Sequence, residues 1–80
     1  MLDNILDNYP EEDFLIADGF NDAIIGLDTK SMRLIYSVTK CIDILCEIMT
    51  EEEAIEYFDY NVSDAYVGDK TPIWCYDDFL

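Results

Sequence analysis

The chain has 80 residues, 51% of them hydrophobic, which is the size of one small domain with a modest core and too apolar for a disordered acidic tail. Nineteen Asp and Glu face four Lys and Arg with no His, and the net charge of −15 excludes a nucleic-acid or anionic-membrane binder in favour of one that meets basic proteins. The same self-repulsion opposes compaction at low ionic strength, so added salt is expected to stabilise the fold.

Met1 to Asp13 is acidic and interrupted at Pro10, although Leu2, Ile5 and Leu6 share one helical stripe. Residues 1–13 therefore read as a mobile acidic arm or a single weak helical turn. The stretch has no basic segment and no long apolar run, so no signal peptide is expected, and nothing in the chain is apolar for long enough to span a bilayer. Phe14 to Ala17 reads as a short edge strand before the Asp18-Gly19 turn.

From Ala23 the period is two. Ala23, Ile25 and Leu27 share one side of a strand, and Met32, Leu34 and Tyr36 one side of a second, with Ile24 and Ile35 on the opposite face. Asp28, Thr29, Lys30 and Ser31 separate the two runs with the length and chemistry of a hairpin connection. Gly26, inside the first strand, signals a bulge or a close approach. Ser37 or Thr39 is placed to cap a helix whose stripe is Val38, Cys41, Ile42, Leu45, Ile48 and Met49.

Thr50 ends that helix and starts the next. With Glu53 three places on it fits a capping box, and Ala54, Ile55, Phe58, Val62, Ala65 and Tyr66 follow at the spacing of one apolar face. Gly68 is positioned as the C-terminal cap, and Pro72 prevents continuation. Ile73 to Tyr76 reads as a last strand pairing with the hairpin, and residues 77–80 as an acidic, aromatic tail. The expected architecture is a single α+β domain over 1–80: a small, mostly antiparallel sheet in ββααβ order with two helices packed on one face. Cys41, Cys46 and Cys75 are odd in number and form no CxxC pair, which predicts buried free thiols in a reducing cytoplasm.

DGFNDAIIGLD (Asp18 to Asp28), RLIYS (Arg33 to Ser37) with its KCIDIL helix, and TEEEAIEYFDYNVSDAYVGDKTPIW (Thr50 to Trp74) together resemble a family of small acidic proteins of tailed bacteriophages. The chain departs from that pattern at Ser63-Asp64-Ala65, where the family has Gly before Ala, and in the CYDDFL extension that ends it. The resemblance implies a viral origin and the cytoplasm of an infected bacterium, and it transfers no catalytic residue.

Chemistry-bearing motifs are scarce. The chain has no His, no nucleophile elbow and no glycine-rich phosphate loop, and Asp18, Asn21 and Asp22 around Gly19 lack the spacing and distal Glu of a calcium loop. No enzyme activity, cofactor or metal is expected. Asp43 with Glu47, and Glu52 with Glu56 and Asp59, align like charges along helix faces, which costs helix stability and is more than solubility requires.

Six acids lie between Thr50 and Gly68. A helix of about 16 residues spans about 24 Å, where duplex DNA carries about 14 phosphate charges. One helix falls short of that density, so an imitation of DNA needs the arm, Asp43, Glu47 and the tail as well. The expected binding set is Asp43, Glu47, Glu52, Glu56, Asp59 and Asp64 for charge, with Tyr57, Tyr60 and Trp74 for apolar contact. The expected function is a phage inhibitor of a basic, nucleic-acid-handling host protein. The alternative is a homodimeric adaptor whose acidity serves solubility, docking through a sheet edge.

Overall fold

The computed structural model of the chain describes residues 1–65 and 67–79. Its elements are α1 (Leu2–Asn8), a 3-10 turn (Asn21–Ala23), β1 (Ile24–Asp28), β2 (Arg33–Ser37), α2 (Val38–Leu45), α3 (Glu51–Phe58), a π-helical turn (Asp59–Ser63) and β3 (Ile73–Cys75). The architecture is the expected α+β arrangement of ββααβ order, preceded by α1. Ile5 of α1 is buried in the common core and Leu2 and Tyr9 pack against it, so the N-terminal segment docks on the domain.

The hairpin forms with the predicted bulge. Ile24 pairs with Tyr36, Gly26 with Ile35 and Leu27 with Leu34, and the register shifts between Ile24 and Gly26. The extra residue reverses the alternation. Ile24 and Leu27 consequently share the core side with Leu34 and Tyr36, which corrects the assignment of Ile24 to the opposite face. Met32 is not a strand residue either. Its φ of 55° places it in the left-handed region, where it closes the turn by donating its N–H to the Asp28 carbonyl at 2.7 Å.

Strand order is β1-β2-β3, with β1 and β2 antiparallel but β2 and β3 parallel. The sheet is mixed where a mostly antiparallel one is expected from the strand count. Parallel pairing needs a crossover of a dozen or more residues, and the two helices and the loop between β2 and β3 supply it. Ser37 caps α2: its buried hydroxyl accepts from the Lys40 N–H at 3.2 Å and donates to Asp77 Oδ1 at 2.7 Å. Asp77 is thereby tied to the helix start, and the tail does not simply trail off.

Both helices are shorter than their stripes. After Leu45 the chain leaves α2 through i→i+3 bonds, Glu47 N–H to the Ile44 carbonyl and Ile48 N–H to the Leu45 carbonyl. Ile48, expected in the core, is consequently 81% exposed, and Cys46 faces solvent while Cys41 is buried. The three thiols are free.

Thr50 and Glu53 form the capping box, Thr50 Oγ1 accepting from the Glu53 N–H at 3.2 Å and Glu53 Oε1 accepting from the Thr50 N–H at 3.1 Å. These bonds hold the Glu53 carboxyl below its ordinary pKa. Of the predicted apolar face, Ala54 and Phe58 are buried and Val62 packs on the core, while Ile55 and Ala65 are exposed. Tyr66 lies outside the described residues. Gly68 does not cap the helix. With φ at 111° it opens a separate turn, its carbonyl accepting from the Thr71 N–H and hydroxyl, that leads into β3.

Phe14 to Ala17 is not a strand. It crosses the surface as a loop, and the Ala17 N–H donates to the Tyr36 hydroxyl at 2.8 Å. That bond supplies the backbone partner an edge strand would otherwise seek from the sheet.

Candidate functional site

Helix α3 presents two flanks. Counting 100° per residue, Ala54 and Phe58 point to the core, Glu52 and Glu56 point away from it, and Tyr57 falls between the two. At Asp59 the helix widens into the π turn, whose i→i+5 geometry sets residue i+5 over residue i. Asp59 and Asp64 are five apart. They border one shallow depression of about 400 Å³ together with Glu56, Tyr60 and Ser63. In an uninterrupted α-helix the same two acids would point about 140° apart. Glu56, Tyr60 and Asp64, spaced four apart, run along the same edge.

Among the described residues none of these carboxylates forms an ion pair. Among the described residues the ion pair is Lys70 with Glu12, at 3.3 Å, remote from α3 in the chain, and Lys70 also donates to the Ser31 carbonyl. Arg33 donates from Nε to the Thr71 carbonyl. Two of the four basic side chains are thus used to hold the β3 approach against the hairpin. Glu52, Glu56, Asp59 and Asp64 are all exposed, and Tyr60 beside them is 77% exposed.

The other flank of α3 borders an apolar groove of about 630 Å³. Trp74 and Val62 line it beneath, Leu15 and Ile16 come from the loop before β1, Ile48 from the turn after α2, and Tyr57 from α3. The Trp74 ring packs against Tyr36, with centroids 5.1 Å apart, and edge-on against Phe58 at 5.3 Å. It joins β2, β3 and α3. Its indole N–H has no hydrogen-bond partner among the described residues.

The nine expected binding residues accordingly fall into three places. Glu56, Asp59, Tyr60 and Asp64 meet at the depression, with Glu52 one turn before Glu56 on the same exposed face. Glu47, Tyr57 and Trp74 border the groove, Trp74 as a partly buried wall. Asp43 is exposed on α2 and borders neither, and Glu47 lies in the turn after α2, so the two do not form the helical pair expected of them.

Leu15, Ile16, Ile48 and Val67, exposed apolar residues of the groove, were not legible as surface. The first two resemble a strand in sequence and Ile48 continues a helical stripe. Among the described residues no group of three or more His, Cys, Asp or Glu side chains converges as metal ligands, Asp18 and Asp22 included. Nor, among the described residues, is any helix long and apolar enough to cross a membrane.

No protein-family model, curated protein or solved structure matches the chain. The likeness to small acidic phage proteins rests on the residues quoted for it.

Proposed function

We propose that the chain is an acidic inhibitor that binds a basic, nucleic-acid-handling protein of a bacterial host through the exposed face of α3 and its π turn. The observation that carries this reading is that exposed Glu56, Asp59 and Asp64 line one depression with exposed Tyr60, and form no ion pair among the described residues, in a chain of net charge −15. Grouping like charges raises the local field and costs stability, so a folded domain that keeps such a group gains from it on meeting a positive surface.

In this mechanism the carboxylates occupy positions that nucleic-acid phosphates take on the partner, Glu52 extends the row, and Tyr60 supplies an aromatic contact of the kind that concentrates binding energy. Helix α3 has eight residues and is about 12 Å long. It addresses a short run of phosphate sites, with Asp43 and Glu47 available to a broader partner. The phage resemblance supplies the setting, an infected bacterium, and it favours a partner such as a defence nuclease or a repair enzyme.

The test uses the protein immobilised and exposed to bacterial lysate, beside a Glu52→Gln, Glu56→Gln, Asp59→Asn, Asp64→Asn variant. The expected result is a basic protein retained by the parent, released by duplex DNA or half-molar salt, and not retained by the variant. Retention that withstands both competitors, or that the variant shares, overturns phosphate mimicry.

A further inference from the structure

Besides the acidic face, the molecule keeps open the groove between the Leu15–Phe20 loop, the turn after α2 and α3. Among the described residues its lining is apolar except for the backbone, Asn61, the Tyr57 hydroxyl, the Trp74 indole N–H and two charged side chains, Asp18 and Glu47, both acidic. Leu15, Ile16, Ile48 and Tyr57 around it are exposed.

We infer that this groove receives a large apolar side chain of the partner, flanked in the partner's own sequence by Lys or Arg. The inference rests on the proposed function and names the second half of the same contact. Charge selects the occupant. A second copy of the chain would bring another −15 against Asp18 and Glu47, and an anionic membrane would be repelled in the same way, whereas a cation-flanked apolar anchor satisfies rim and floor together. Tyr57 borders the groove and its neighbour Glu56 the acidic depression, on two flanks of one helix, so a partner that engages both reaches around α3. An apolar anchor in a pocket from which it excludes water is also the arrangement in which a few residues carry most of the binding energy.

Trp74 is the single tryptophan and lines the groove, so its emission reports occupancy directly. The probes are three amidated peptides: Lys-Lys-Leu-Phe-Lys-Lys, its counterpart Glu-Glu-Leu-Phe-Glu-Glu, and Lys-Lys-Gly-Ser-Lys-Lys. The first is expected to shift the emission saturably, with an affinity that falls as salt rises. The second is expected not to bind, and the third to leave the emission unchanged.

Ile48→Ser, at a position too exposed to matter for folding, should weaken the first peptide about tenfold, the value of one apolar side chain removed from water. The inference is overturned if Ile48→Ser binds as the parent does, if the acidic or the apolar-free peptide gives the same shift, or if millimolar Lys-Lys-Leu-Phe-Lys-Lys gives none. Sedimentation showing a dimer that covers Trp74 overturns it equally. Failure of the two readings is distinguishable. A captured host protein lost on neutralising the α3 acids but indifferent to Ile48→Ser leaves the charge reading standing and sinks the groove, and the converse pattern does the reverse.

Discussion

Removing one oxygen atom, in Tyr36→Phe, isolates the bond that holds the groove's outer wall. Tyr36 is fully buried and its hydroxyl accepts from the Ala17 N–H at 2.8 Å, while its ring packs on Trp74 at 5.1 Å. Phenylalanine keeps the ring and its packing, so the whole effect comes from the lost acceptor. Ala17 is half-buried, and water replaces part of what is lost. The cost is therefore about 1 kcal/mol, the net value of an ordinary intramolecular hydrogen bond, and not the larger penalty of a sealed orphan donor.

For a domain of this size that lowers the thermal midpoint by about 4–8 °C. Thermal and urea unfolding followed by circular dichroism measure the stability. Amide exchange at Ala17 measures the local consequence, and it should accelerate by more than the global loss allows, because the loop is released ahead of the sheet. A variant with an unchanged midpoint and an unchanged Ala17 exchange rate would show that the loop is held by its apolar packing alone, and that the reason given for its failure to become a strand is wrong.

Other outcomes follow from the same structure. The thermal midpoint of the parent should rise with added sodium chloride, since the net charge of −15 is screened; a fall would refute the repulsion argument. Burial pushes the Cys41 thiol from 9.0 up to about 12, and desolvation also raises the Tyr36 hydroxyl. A raised folded-state pKa means stability that is intact below the unfolded value and lost as pH climbs from about 9 toward about 12, so the alkaline decline of the midpoint should be shallower in Cys41→Ala than in the parent. Met32 is held at φ 55°, so Met32→Gly should relieve up to about 1 kcal/mol and raise the urea midpoint. Thr50→Ala removes the oxygen that accepts the Glu53 N–H and should cost about 1 kcal/mol in the same titration.

What the sequence determined by itself is what neighbouring residues decide among themselves. The Thr50–Glu53 box, the polar connection around Asp28 to Ser31, the bulge at Gly26 and the strand at Ile73 each depend on residues a few positions apart, and each is present. Periodicity also marked Leu34, Tyr36, Val38, Cys41, Leu45, Ala54 and Phe58 as core, and all are buried. The carboxylates of the acidic face were visible as a repeated like charge on α3.

Tertiary structure decided where those patterns stop. Ile48 continues a stripe whose helix has already ended, and Phe14 to Ala17 resembles a strand but is satisfied by a hydroxyl 19 residues away. Neither fact has a local signature, because each depends on which backbone groups find partners elsewhere in the fold. The parallel pairing of β3 and the groove beside Trp74 have the same origin. Each is a relation between elements, set by how the helices must lie to cover one small sheet.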